Sequence, residues 1–324
     1  MSAVNPPLRR PPRHGPAPVD SLASLVGATP LVRLRRIGAD LPGIRIYAKC
    51  EFANPGGSVK DRPALRMIEA ALLDGRLGRG RTLVDSTSGN TGVAYAWICA
   101  ALGIPCALVM PSNVSAARKR IAQAFGAELV FSDPLEGSDG AIRKVRALVD
   151  AEPDRWFYPD QYGNEENPRA HEQGTAVEIA EALDGAVAAF AAGIGTGGTV
   201  MGTSRGLRRL APGVRCFAVE PAEPLHGLEG LKHMASSIVP SIYREQELDG
   251  KLEMPTAEGW AMAERLGREE GLQVGHSSGA AVAGALAVAR RMAEAGERGN
   301  VVTVLPDRAD RYFEPRRWDR RTSW

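Results

Sequence analysis

Apolar and polar positions alternate with the two-residue period of a β-strand at residues 44–50, and residues 26–34 have the pattern of a loop that enters a short strand. We predict that these two strands form an antiparallel pair. From residue 82 onward, short apolar runs alternate with segments of helical period. Strands are predicted at 82–85, 106–110 and 128–131, and helices at 93–102, 115–125 and 140–150. This strand–helix rhythm predicts a parallel sheet with helices on its faces.

Turn-forming residues at 156–168 interrupt the rhythm, which then resumes. Strands are predicted at 187–192, 215–220 and 300–306, and helices at 169–183, 200–210, 257–269 and from 275 to 292. Residues 221–254 give only mixed turn signals. We therefore predict an α/β protein throughout.

Composition narrows the class of protein. The 324 residues are 44% hydrophobic and 24% charged, which suits two globular domains or one large α/β unit. Forty Lys and Arg against 38 Asp and Glu give a net charge of +2, so no charge excess indicates nucleic acid or a membrane surface as partner. No apolar run is long enough for a membrane span or a signal peptide. A small-molecule partner is predicted.

The four cysteines, Cys50, Cys99, Cys106 and Cys216, are scattered through apolar runs without the spacing of a metal site or a disulfide framework. They suit a reduced, cytoplasmic setting, and no metal is predicted. Residues 1–19 are rich in Pro and Arg and are predicted to be a disordered N-terminal extension.

A glycine-containing turn at residues 54–59 delivers Lys60 to the start of a predicted helix. The positive end of the helix dipole disfavours a charged amine there. A neutral amine attacks carbonyl groups to form a Schiff base. The alternative is an ordinary surface lysine, since most lysines are exposed.

Two further loops have the form of anion sites. A Ser/Thr/Gly loop at 86–92 and a glycine loop at 193–199 each follow a strand and open a helix, where backbone N–H groups converge. The second loop also permits another interpretation, because Gly193, Gly195 and Gly198 match a dinucleotide fingerprint, with Glu220 some twenty residues later. An NAD(P)-dependent dehydrogenase is therefore the alternative outside the class proposed next.

One cofactor would use Lys60, both of these loops and a third at 275–281. Pyridoxal phosphate needs a lysine for its aldehyde, a polar group near its ring oxygen, a phosphate cradle and a group facing its ring nitrogen. These motifs, with residues 26–32 and 110–111, resemble those of cysteine synthases, in the β-family of pyridoxal phosphate enzymes. The resemblance covers residues 20–312.

The resemblance implies fold type II (tryptophan synthase β-like), with two doubly wound, three-layer α/β/α domains. The small, substrate-binding domain is expected at 54–159, and the large, cofactor-binding domain at 20–53 and 160–324. The resemblance also implies a homodimer. A sulfur-carrier protein and serine acetyltransferase are the two protein partners that it allows.

The resemblance also assigns the cofactor contacts. Lys60 is expected to carry the internal aldimine, Asn90 to hydrogen-bond the ring oxygen, and Ser277 to face the ring nitrogen. The phosphate is assigned to Gly195, Thr196, Gly197, Gly198 and Thr199. A neutral serine at the ring nitrogen favours β-elimination and replacement over transamination.

The activity implied is β-replacement: an O-activated serine loses its leaving group to give an aminoacrylate, and a sulfur nucleophile adds to form L-cysteine. The substrate carboxylate is assigned to Thr87, Ser88, Gly89, Asn90, Thr91 and Gln161; the alternative for the Ser and Thr residues is simple helix capping. Lys232, with His226 or His233, is placed on the leaving-group side, where a cation would favour O-phosphoserine over O-acetylserine. Cystathionine β-synthase chemistry and serine or threonine dehydration remain alternatives on the same fold.

Overall fold

The computed structural model describes residues 19–312, apart from residues 79, 88 and 115 and the side chains of 117 and 138. All but the last residue of the predicted N-terminal extension lies outside this part of the chain. The described residues form two β-sheets covered by helices.

The strands are β1 (Leu31–Leu34), β2 (Ile44–Cys50), β3 (Thr82–Ser86), β4 (Cys106–Pro111), β5 (Glu128–Ser132), β6 (Trp156–Phe157), β7 (Ala189–Gly193), β8 (Arg215–Pro221), β9 (Gly250–Met254) and β10 (Gly299–Leu305). The α-helices are α1 (Asp61–Leu73), α2 (Asn90–Leu102), α3 (Ala116–Ala124), α4 (Gly137–Ala151), α5 (Glu166–Ala170), α6 (Ala176–Ala182), α7 (Gly198–Leu210), α8 (Thr256–Arg265) and α9 (His276–Glu294). One π-helical segment, His171–Thr175, joins α5 to α6, and another, Leu266–Glu270, follows α8. Short 3-10 helices lie at Leu22–Leu25, Glu51–Ala53, Pro134–Glu136, Met234–Ser236, Glu245–Glu247 and Ala309–Tyr312.

The larger sheet has the strand order β1-β2-β10-β7-β8-β9, and only the β1–β2 pair is antiparallel. Successive side chains of β7 point to opposite faces of the sheet, and helices cover both faces. Ala189 and Ala191 pack with α8 and α9, whereas Phe190 and Ala192 pack with α6 and α7. Strand β7 therefore reads as an apolar run, as expected for a parallel strand buried on both sides.

The smaller sheet has the order β5-β4-β3-β6 and is entirely parallel. Leu83 and Leu108 pack with helices α1 to α3, and Val84 and Val109 face α4 from the opposite side. Each sheet is thus the middle of three layers, and the predicted doubly wound α/β/α fold is confirmed.

The predicted antiparallel pair is confirmed, with Leu31 opposite Lys49. Strand β9 was missed, because its short sequence lies within a stretch dominated by turn residues. All four strands of the smaller sheet fall within residues 54–159, but the domain boundaries themselves stay a prediction. No helix in the described part of the chain is long and apolar enough to cross a membrane.

A buried ion cluster ties the start of α1 to α6. Arg62 donates to Glu51 and to both carboxylate oxygens of Glu178, and Lys49 Nζ lies 2.6 Å from Glu178. Burial alone would raise the pKa of Glu178, but the hydrogen bonds and charges of Arg62 and Lys49 outweigh it and lower that pKa to about 2. The two cations and two anions balance one another away from water.

Glu178→Gln is expected to lower the free energy of unfolding by about 3 kcal/mol, because it leaves the buried cations with one carboxylate fewer. Urea titration at neutral pH measures this. Since the pKa is lowered in the fold, the Glu178 contribution is complete above the unfolded carboxyl's pKa of about 4.3 and is lost as the pH falls toward about 2. The exposed Glu181, on the same helix, provides the control variant Glu181→Gln. Equal stability of the two variants would show that the cluster contributes nothing.

Candidate active site

A cavity of about 360 Å³ lies where the carboxyl ends of strands from both sheets meet. Its wall includes Ser86 and Pro111, at the ends of β3 and β4, and Gly193 and Val304, at the ends of β7 and β10. Open α/β sheets bind ligands at this edge. The volume falls within the range of small-molecule sites.

Four helices begin at this cavity. Lys60 is the N-cap of α1, and the first turns of α2, α7 and α9 contribute Asn90, Thr199 and Ser277 to its lining. The unpaired N–H groups and dipole ends of these helices make the cavity favourable to anions. A phosphate and a carboxylate are both anions of the kind that such a cavity binds.

The local sequence explains how Lys60 reaches the cavity. Asp61 accepts hydrogen bonds from Gly56 N and from Trp97 Nε1, at 2.5 and 3.2 Å, and thereby folds the preceding turn back on the helix. A Cβ on Gly56 would lie 2.2 Å from the Trp97 nitrogen, so only glycine fits this turn. Val59 N donates to the Pro306 carbonyl and fastens the turn to the end of β10.

Lys60 is half-buried, and its Nζ has no hydrogen bond or ion pair with any residue that the structure describes. Burial lowers the pKa of Lys60, and the carboxylates of Asp307 and Glu51 oppose this without reversing it. Loss of hydration thus lowers this pKa in the same direction as the helix dipole expected from the sequence. An amine in this state is available as a nucleophile.

The glycine loop that precedes α7 is supported by two buried side chains that we did not predict as site residues. Asn167 donates to Thr196 Oγ1 at 3.0 Å and to the Gln161 carbonyl at 2.7 Å. His171 Nε2 lies 3.3 Å from Thr199 Oγ1. Burial, with Arg62 and Lys60 nearby, lowers the pKa of His171 well below its usual value, so the ring is neutral. These residues hold the loop in shape.

Glycine is required in this loop for close contact. A Cβ on Gly195 would lie 2.4 Å from the Gly230 carbonyl oxygen, and Gly197 has a φ of +89°. Gly198 opens α7, and a Cβ there would lie 1.9 Å from Asn167 Oδ1. The loop therefore presents bare backbone to the cavity, which is the form of a phosphate cradle.

The loop before α2 uses its side chains internally. Thr87 Oγ1 accepts from Gly92 N at 3.1 Å, which is the capping role considered as the alternative. Thr91 donates to Gln161 Oε1 at 2.9 Å, and Gln161 Nε2 donates to the Ser86 carbonyl at 3.2 Å. Thr87, Gly89, Thr91 and Gln161 all line the cavity. Backbone N–H groups and the Thr87 hydroxyl hydrogen thus remain as donors for an anion at this loop.

Lys232 is only 13% exposed, unlike most lysines. Its Nζ lies 3.7 Å from Asp139 and 5.1 Å from the centre of the Tyr162 ring. Burial lowers the pKa of Lys232, and Asp139 opposes this. Nearby, Arg118 forms an ion pair with Glu229, and both line the cavity. His226 and His233 are absent from the described lining and bond to Leu228 and Ser236 instead.

The predicted cofactor and substrate residues line this one cavity except Gly198, which lies at the start of α7 behind its wall, and Ser88, which lies outside the described residues. The two histidines considered beside Lys232 do not line it. Seven further residues line or support the cavity and were not predicted from the sequence: Asn167, His171, Arg118, Tyr162, Glu229, Arg311 and Tyr312. No group of three or more His, Cys, Asp or Glu residues within the described chain could hold a metal ion.

The sequence matches the pyridoxal-phosphate dependent enzymes over residues 22–307. The chain belongs to this family. It is 48% identical over 296 residues to a cysteine synthase from Aquifex aeolicus, covering 91% of this chain and 90% of that one. An O-acetylserine sulfhydrylase from Entamoeba histolytica superposes with a TM-score of 0.86 at 34% identity, covering 100% and 97% of the two chains. An O-acetylserine dependent cystathionine β-synthase from Helicobacter pylori superposes with a TM-score of 0.84 at 33% sequence identity, covering 94% of this chain and 100% of that one.

The cavity residues of this chain fit pyridoxal phosphate. The bare glycine loop suits its phosphate, and Lys60 is an unpaired amine within the same cavity. The dehydrogenase alternative is not supported by its own key residue: Glu220 is 3% exposed and lies 2.9 Å from Lys251, so it is not available to a ribose hydroxyl.

Proposed function

We propose that this chain is a cysteine synthase, which replaces the activated oxygen substituent on Cβ of a serine ester with sulfur to give L-cysteine. The observation that carries the proposal is that one cavity brings together Lys60 and three loops distant in sequence. Membership of the pyridoxal-phosphate dependent family and 48% identity to a cysteine synthase support it.

Pyridoxal phosphate supplies an electron sink for the pair left at the substrate Cα when its proton is removed. Lys60 Nζ is the amine that would hold the cofactor aldehyde, and the same amine would take the proton from the substrate Cα. Residues 195–199 would hold the phosphate, and the Ser277 hydroxyl would meet the ring nitrogen. Ser277 is buried at the start of α9, so its neutral side chain is well placed to leave that nitrogen unprotonated.

The N-terminus of α2 is proposed to bind the substrate carboxylate. Thr87 and Thr91 shape this loop through their internal hydrogen bonds, and Gln161 joins it to β3. Ser88 and Gly89 complete the proposed set. Bringing this loop over the substrate would exclude water from the reacting Cβ.

A substrate panel with the cofactor-loaded protein tests the proposal. We expect cysteine from O-acetylserine or O-phosphoserine with sulfide, thiosulfate or a sulfur-carrier protein as donor. Cystathionine from serine and homocysteine would instead identify cystathionine β-synthase activity. Release of a keto acid and ammonia as the main products would identify a dehydratase.

Lys232→Ala is expected to lower kcat/KM for O-phosphoserine by about tenfold and to leave that for O-acetylserine within about twofold. The reason is that a buried ammonium contributes a charge-assisted hydrogen bond to a phosphate dianion, but not to a neutral ester. Steady-state assays with both substrates measure the two values.

Lys144→Ala is the matched control, because Lys144 is exposed on α4, and it is not among the residues that line the cavity. If Lys232→Ala lowered kcat/KM by the same factor for both substrates, Lys232 would have no role in selecting the leaving group.

The proposal includes a homodimer in the cytoplasm, with serine acetyltransferase or a sulfur-carrier protein as protein partners. It also includes a small domain formed by residues 54–159 and a large domain formed by residues 20–53 and 160–324. The four cysteines are free and buried, in keeping with a reduced setting. Size-exclusion chromatography with light scattering tests the dimer.

A further inference from the structure

The side chain of Asn90 lies between two charged residues that follow the last strand. Arg311 Nη1 donates to Asn90 Oδ1 at 2.7 Å, and Asn90 Nδ2 donates to Asp307 Oδ2 at 2.6 Å. Asn90 and Arg311 both line the cavity, and Asp307 is completely buried behind it. Neither charged residue was singled out from the sequence.

These two contacts fix which way the amide faces. If the amide were turned over, its N–H groups would meet the Arg311 guanidinium, which is also a donor, and its oxygen would meet the Asp307 carboxylate, which is also an acceptor. Both hydrogen bonds would become repulsive contacts. The orientation of Asn90 is therefore set by charge, and one N–H of its amide remains after the bond to Asp307.

The two charged residues are themselves held. Arg311 also donates to the Gly56 carbonyl, in the turn that precedes Lys60. Tyr312 donates its hydroxyl to Asp307 Oδ2, and its ring lies 5.7 Å from that of His276, next to Ser277. The 3-10 helix Ala309–Tyr312 thus connects the Lys60 turn, the start of α2 and the start of α9.

We propose that Asp307 and Arg311 are positioning residues that orient Asn90 so that an N–H, and not the carbonyl oxygen, faces the ring oxygen of pyridoxal phosphate. This inference rests on the proposed role of Asn90. A donated N–H favours the deprotonated ring oxygen, whereas a carbonyl oxygen in its place would favour the protonated one. The last described residues of the chain are in this way part of the cofactor site.

The test measures cofactor binding and its spectrum, without turnover. In Arg311→Met we expect about a tenfold loss of pyridoxal phosphate affinity by equilibrium dialysis, because a charge-assisted hydrogen bond that orients a ligand group is removed. We also expect the visible absorbance of the bound cofactor to fall and its near-ultraviolet absorbance to rise. Asp307→Asn, which keeps the side-chain shape, is expected to shift the spectrum in the same direction.

Arg308→Met is the matched control, since Arg308 lies in the same segment and pairs with Asp310 at the surface. Circular dichroism confirms that each variant is folded; if Arg311→Met is not, Asp307→Asn decides the outcome. Affinity and spectrum equal to those of the control would overturn this inference and leave the proposed function intact. A wild-type protein that binds no pyridoxal phosphate would overturn both.

Discussion

Lys60→Ala is expected to lower cysteine formation by more than about 1,000-fold and to remove the visible absorbance of the bound cofactor. One amine is assigned both the attachment of the cofactor aldehyde and the transfer of the Cα proton, so its loss removes both. Its half-buried position and lowered pKa fit these tasks. Steady-state assays and absorbance spectra of the purified variant measure the effect.

The rest of the site should survive this substitution. Within the described part of the chain, the glycine loop and its supports, Asn167 and His171, make no hydrogen bond to the Lys60 side chain. The variant is therefore expected to keep its circular dichroism spectrum and to bind pyridoxal phosphate noncovalently. Lys144→Ala, at an exposed position, should behave as wild type in every assay. Turnover that persists in Lys60→Ala would refute the assignment.

Gly198→Ala is expected to weaken pyridoxal phosphate binding by about 100-fold and to lower the free energy of unfolding by about 2 to 4 kcal/mol. The new methyl group would lie 1.9 Å from Asn167 Oδ1 and force this buried side chain away. Thr196 and the Gln161 carbonyl would then each lose a hydrogen bond. Equilibrium dialysis and urea titration measure the two effects.

Gly267→Ala provides the comparison, because a Cβ at Gly267 meets nothing within 4 Å. Its free energy of unfolding should be unchanged or raised by up to about 1 kcal/mol, as for alanine in place of glycine in a helix. If Gly198→Ala binds pyridoxal phosphate as tightly as Gly267→Ala does, the contact of Asn167 with the glycine loop is not needed for cofactor binding.

The sequence allowed the fold and the main parts of the site to be predicted because both depend on local patterns. Buried parallel strands are short apolar runs, and a strand followed by a glycine loop and a helix marks an anion site. Such patterns singled out Lys60 and three loops, and the resemblance to cysteine synthases then assigned Asn90, residues 195–199 and Ser277. All of these except Gly198 line one cavity. Edge strand β9 has too few apolar residues to stand out among turns.

The supports of the site could not be predicted, because they act across long sequence separations. Asn167 and Thr196 are 29 residues apart in sequence, and Arg311 and Asn90 are 221 residues apart, so only the folded chain brings each pair together. Asp307 offered one usable signal: it follows β10 closely, at the carboxyl edge where parallel sheets bind ligands. The burial of Lys232 depends on Asp139 and Tyr162, which no local pattern links to it.

The central claim is that Lys60 is the amine that holds pyridoxal phosphate. Borohydride reduction of the loaded protein tests it most directly, since it converts the bond between a lysine amine and the cofactor aldehyde into a stable secondary amine. Proteolysis and mass spectrometry then locate the modified lysine. The account predicts a single modified peptide that contains Lys60; modification of Lys232 or Lys49 in its place, or of no lysine, would contradict it.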